Sequence, residues 1–274
     1  MSAVTVPAVP RLESTGRVTQ ARVILSEWTK LRSVRSTRWS LLVATVLTIG
    51  FPILASAVIS SHWSHRSPGE RANFNPLDPA LIGSQIAQLA IGILGVLVIT
   101  AEYSTGMIRA TFTAVPKRLP VLWAKAFVFA LVTFVLMLPS VLIAFFSSQS
   151  ILSAHHANIA WSHPGVARAV IGASLYLTVI AVMTLGIGTI LRNTAGGIAA
   201  FAAIFFVIPP LLNVLPQSWN DAITPYLPSN AGRAILSITH DPHSLAPWTG
   251  FALFCGYAAL ALVVAAVLLV RRDT

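Results

Sequence analysis

Charge is what this chain of 274 residues has least of: Asp, Glu, Lys and Arg make up only 9%, where soluble domains carry about 25%. That shortage excludes an ordinary water-soluble domain. Cysteine is almost missing. The single residue, Cys255, lies in an apolar run, so the chain has neither a disulfide framework nor a thiol nucleophile with an evident partner. No G-x-x-x-x-G-K-[ST] string occurs, so the usual glycine-rich cradle for ATP phosphates is missing. The long apolar runs contain no Asp, Glu, Lys or Arg. A proton- or sodium-coupled transporter would place such groups there, and an intramembrane enzyme would need a nucleophile, base or carboxylate pair in the same place.

What is abundant is apolar sequence: 55% of residues, with a mean hydropathy of +0.78. A bilayer core of about 30 Å needs roughly 20 apolar residues per helix. Six runs qualify: 39–59, 81–101, 126–146, 169–191, 195–215 and 251–270. Backbone groups in lipid must be satisfied within each segment, and a barrel would need short alternating strands, so the expected fold is an all-α integral membrane protein of six transmembrane helices. The first run is expected to stay in the membrane, because 38 mostly polar residues precede it, unlike a cleaved signal peptide.

Lys and Arg set the expected orientation. With six spans both termini share a side, together with the loops after spans two and four. That side holds fourteen of the 18 basic residues, and the other only Arg66, Arg71, Arg168 and Arg233. The positive-inside rule therefore predicts a multi-pass cell-membrane protein with both termini cytoplasmic. The net charge of +10 is accounted for by topology and by attraction to anionic membrane lipids. No nucleic-acid partner is needed to explain it.

The chain divides into a tail and interfacial helix, 1–38, and a transmembrane domain, 39–274. From Arg17 onward, Val18, Ala21, Val23, Leu25, Trp28 and Leu31 alternate with Arg22, Glu27, Lys30, Arg32, Arg35 and Arg38, the pattern of a helix lying on the membrane surface. Gly50 and Pro52 predict a kink in the first span, and Pro139 falls within the third. Gly83, Gly92 and Gly95 in span two, and Gly186 and Gly188 in span four, suit close helix approach. Arg192, Asn193 and Thr194 join spans four and five in a tight hairpin. Ala195, Ala199 and Ala203 recur at four-residue spacing in span five, before "IPPLLNVLP" is expected to unwind its end. Segment 217–247 is too short to cross and too apolar to float, so it reads as a re-entrant or interfacial cap. All seven histidines fall on the side opposite the basic loops. His62 with His65, and His240 with Asp241 and His243, have spacings a metal could use, but no recognised ligand string accompanies them and no metal site is assigned.

The most distinctive stretch is polar loop 102–125, set between spans two and three. Gly106 permits a sharp turn, and Arg109 can bridge a partner's carboxylate or fold back on Glu102. Rigid spans on either side would carry motion from such a loop into the bundle.

Four strings in order along the chain carry a family resemblance: "SEWTKLRSVRSTRW" at 26–39, "EYSTGMIRATFTAVPKR" at 102–118, "LRNTAGGIAAFAAIFFVIPPLLNVLP" at 191–216 and "YLPSNAGRAI" at 226–235. They resemble permease subunits of the type-two ABC exporter family, particularly actinobacterial members. Met107 stands where relatives often carry Thr or another small polar residue. The resemblance implies a half-transporter of six helices preceded by a connecting helix, here with Glu27, Trp28 and Lys30. It also implies that the loop after helix two couples to an ATPase subunit through Glu102, Tyr103, Ser104, Thr105, Gly106, Met107, Ile108, Arg109, Ala110 and Thr111, with Lys117 and Arg118 near lipid or the partner. The implied assembly contains two ATPase chains and a second permease, identical or related. ATP and Mg would be held by the ATPase, and no cofactor or catalytic residue is expected in this chain. The reading of another class is a membrane scaffold or stress-sensing protein that moves no substrate.

Overall fold

The computed structural model describes residues 19–108, 113, 118–212, 214, 216–239 and 244–271. Every regular element among them is helical. Helix α1 spans Gln20–Ser33, α2 Arg35–Ser61, the short α3 Pro68–Ala72, α4 Leu77–Ser104, α5 Arg118–Leu152 and α6 Val166–Leu191. After them come α7, Thr194–Leu212, the short helices α8, Gln217–Ile223, and α9, Pro228–Arg233, and finally α10, Pro247–Arg271. Helices α2, α4, α5, α6, α7 and α10 are long and apolar enough to cross a membrane.

Helix α6 sits at the centre, packed by α4, α5, α7 and α10, while α2 lies against α4 and α5. Small residues make the packing close. A Cβ at Gly95 would lie 2.0 Å from Thr184 Oγ1, and one at Gly186 would lie 3.0 Å from the backbone of Ala261. Without a hydrophobic drive in lipid, such backbone approach is what holds neighbouring helices. The core includes Tyr176, Phe129, Phe145, Phe201 and Phe254, all fully buried. Polar bridges cross it, from the Tyr176 hydroxyl to Gln88 Oε1 at 2.5 Å and between the Ser56 and Ser148 hydroxyls at 2.6 Å.

Helix α2 runs unbroken through Pro52, with the proline ring seated against Gly83 of α4, where a Cβ would come within 2.8 Å of Pro52 Cδ. In α7 the disturbance falls earlier than the sequence implies. Pro209 and Pro210 cannot donate to carbonyls one turn before them, and residues Ala203–Val207 form a π-helical turn while the helix continues to Leu212. The tight hairpin is present: Arg192 adopts φ +52°, and Asn193 caps α7 by accepting from the Gly196 N–H at 2.8 Å.

Within segment 217–247, residues 217–236 form short helical turns over one end of the bundle. Ala231 and Ile235 are fully buried there, and a Cβ at Gly232 would meet Tyr176 and Phe254. At the same end Trp63 stacks on His155, and Glu70 closes a capping box with Ser67. Among the described residues no group of three metal-ligating side chains converges; His240, Asp241 and His243 lie outside them.

Candidate functional site

The polar stretch between spans two and three is shorter than the sequence indicates. Glu102, Tyr103 and Ser104 complete the last turn of α4, and residues 118–125 are already helical, as the first two turns of α5. Thr105 Oγ1 donates to the Ala101 carbonyl at 2.8 Å and Ser104 Oγ to the same oxygen at 3.1 Å, closing the helix end. Gly106 follows with φ +72°, so the expected sharp turn is there and a β-carbon would strain it. Met107 is exposed and Ile108 buried. Arg109, Ala110, Thr111 and Lys117 lie outside the described residues.

Three helices meet beside this turn through an ion cluster. Lys125 of α5 is only 3% exposed, and its ammonium donates to Glu27 Oε2 at 2.6 Å and to Glu102 Oε1 at 2.8 Å. Lys30 donates to Glu27 Oε1 at 2.7 Å and to Glu102 Oε1 at 3.3 Å. Glu27 and Glu102 are themselves buried, at 4% and 7% exposure, so the cluster is two carboxylates and two ammonium groups largely out of water. Burial pushes the Glu27 carboxyl upward, but Lys125 and then Lys30 outweigh it and hold the group below its ordinary value. Burial likewise lowers Lys30, and its bond and charge contact with Glu27, helped by Glu102, carry it above the ordinary lysine value.

Local sequence explains how α1 delivers Glu27. Val23, Glu27, Lys30 and Leu31 follow helical spacing and share the face turned toward α5, where Val23 packs with Val121 and Ala124. Trp28 and Leu25, which the sequence pattern counts with Val23 in one apolar stripe, are 43% and 65% exposed. Glu102 stands at the C-terminal end of α4, where the helix dipole disfavours an anion. The two lysines offset that.

A second junction lies close by. Arg192, in the α6–α7 hairpin, places its guanidinium 5.3 Å from the Tyr103 ring centre. It also donates to the Leu268 carbonyl at 3.5 Å, while Arg118 donates to the Leu269 carbonyl at 3.0 Å. Both carbonyls belong to the last turn of α10, which has no helical partners for them. Thr194 Oγ1 donates to Thr100 Oγ1 at 2.9 Å, fixing the start of α7 to α4.

Of the residues expected at the ATPase contact, Glu102 joins Glu27 and Lys30 of the expected connecting helix in one cluster and Tyr103 meets Arg192, while Trp28 of that helix stays outside the cluster. Lys125 was legible only as a topological charge. Its position one residue before an uninterrupted apolar run was the available signal, because a lysine so near the hydrocarbon depth needs a counter-charge. No family model matches the chain, and no curated protein matches it.

Proposed function

We propose that this chain is the membrane-spanning subunit of an ATP-driven exporter of the type-two ABC permease kind, with ATP and Mg on a separate ATPase subunit. The observation that carries the proposal is the joining of α1, α4 and α5 by buried charges directly beside the turn that begins at Gly106. A push delivered to that turn meets three helices that resist moving separately. It would pass into the bundle as a rigid-body displacement rather than dissipate in a loop.

On this reading the end of the bundle holding α1 faces the cytoplasm, as the distribution of Lys and Arg also argues. Two ATPase chains and two permease chains make the assembly. Gly106, with the turn after it, is the seat of the ATPase, and the Glu27–Lys30–Glu102–Lys125 cluster is the lever's root. Small and apolar side chains in the spans suit a hydrophobic or amphipathic cargo such as a drug, lipid or peptide.

The test is purification of the full-length chain from its native membrane. The expected result is a co-purifying soluble chain that carries a glycine-rich ATP loop. Gly106→Val, which forces a β-branched residue into positive φ, is then expected to lower cargo-stimulated ATP hydrolysis several-fold with membrane insertion unchanged. A chain that purifies without any ATPase, and functions so, would support the scaffold reading instead.

A further inference from the structure

A cavity of about 410 Å³ lies beside the ion cluster, between α1, the start of α2 and the facing sides of α4 and α5. That volume is within the range of small-molecule sites, about 300–1,000 Å³. Its character changes along α4. Leu94, Leu97 and Val98, with Val128 of α5, wall an apolar chamber, and Glu102 and Lys125 stand at its polar end. Eight residues separate Leu94 from Glu102, so the chamber extends about 12 Å along the helix.

The polar end is incompletely satisfied. Glu102 Oε1 accepts from both lysines, but Glu102 Oε2, on a side chain only 9% exposed, is buried with no hydrogen-bond partner among the described residues. A buried acceptor left in that state carries an uncompensated desolvation cost. Two carboxylates and two ammonium groups cancel in charge, so a group that completes the site must donate a hydrogen bond without bringing net charge.

We propose that the cavity binds a bilayer lipid from the leaflet on the α1 side. One acyl chain fills the chamber, and an N–H or O–H of a net-neutral headgroup donates to Glu102 Oε2. Phosphatidylethanolamine offers an ammonium balanced by its own phosphate, and diacylglycerol offers a hydroxyl. Phosphatidylcholine has neither donor, and phosphatidylglycerol adds a negative charge that the balanced cluster does not compensate. The site requires no ATPase partner, so it stands or falls independently of the transport reading.

The experiment places the full-length chain in nanodiscs of unlabelled phosphatidylcholine doped with one diazirine-tailed probe at a time. The four probes carry the ethanolamine, diacylglycerol, choline and glycerol heads, and cross-links are mapped by peptide mass spectrometry. Labelling of Leu94, Leu97 and Val98 is expected from the ethanolamine or diacylglycerol probe at about tenfold over choline, the ratio set by one hydrogen bond to a charged acceptor. The stronger of those two probes identifies the head. Leu97→Trp, which fills the chamber and leaves the ion cluster intact, is expected to abolish that labelling. In Glu102→Gln the cluster carries one net positive charge, so the glycerol probe should gain on the ethanolamine probe. Equal labelling by choline and ethanolamine probes, labelling confined to exposed positions such as Leu131 and Val135, or labelling that survives Leu97→Trp would overturn the proposal.

Discussion

Two junctions at the same end of the bundle hold cations in different ways. In the first, Lys30 and Lys125 are matched to Glu27 and Glu102, with all but Lys30 nearly excluded from water. In the second, Arg118 and Arg192 are received by backbone carbonyls of α10 and by the face of Tyr103. The first is charge against charge, so losing one member strands another in a poor dielectric. The second sets charge against dipoles and a ring, which persist whatever the protonation state, so it should tolerate loss better. Strength of coupling and fragility therefore reside together in the carboxylate junction.

The harshest way to break the comparison is Lys125→Met, which leaves two buried carboxylates with Lys30 alone. A loss of about 3–5 kcal/mol is expected in denaturant unfolding from micelles, as when one partner of a buried ion pair is removed. Combining Lys125→Met with Glu27→Gln should cost less than the two single changes added together, and that shortfall, read as a double-mutant cycle, would assign the loss to the pairing itself.

Acid should come next. The Glu27 carboxyl is held below its ordinary value of 4.5, so the stability it contributes is complete above that pH and drains away as pH falls through the depressed folded value. Amides of α1 are expected to lose hydrogen-exchange protection below about pH 4.5 while those of α10 keep theirs. Simultaneous loss in both helices would mean that the junctions do not differ as described.

Arg118→Ala probes the other junction and should cost about 1 kcal/mol through the hydrogen bond it withdraws from the Leu269 carbonyl. The mildest change is Tyr103→Phe. The Tyr103 hydroxyl is buried without a hydrogen-bond partner among the described residues, and the ring that faces Arg192 is retained. Stability within about 0.5 kcal/mol of the parent is expected, and a larger loss in the same unfolding assay would show that the hydroxyl matters.

The six long helices were legible from the lengths of their apolar runs, because a run of about 20 such residues has few other uses. Their ends were less so. Basic residues around Arg118 read as loop, yet α5 begins there, since Val121 and Ala124 gain a surface on Val23 that only the folded chain supplies. The ion cluster was half legible. Glu27, Lys30 and Glu102 stood out individually, but the nearest sequence partner for Glu102 was Arg109, seven residues away. The partners it takes among the described residues are 23 and 72 positions distant. Separation of that kind leaves no periodic trace. Pro52 stood out as an irregularity in its helix, but the glycine of another helix that receives its ring, Gly83, left no sign of that pairing in the sequence.

The wide turn at Ala203–Val207 has a consequence for α7, the least enclosed of the long helices. Such a turn is in effect one surplus residue parked in an otherwise regular coil. Were it to migrate a step along the chain, each residue it passed would swing by about 100° around the axis, with no hydrogen-bonded ladder broken for long. Phe205 and Phe206, now respectively buried and exposed, would trade the company they keep, so this helix carries a built-in means of re-aiming its side chains without leaving its place.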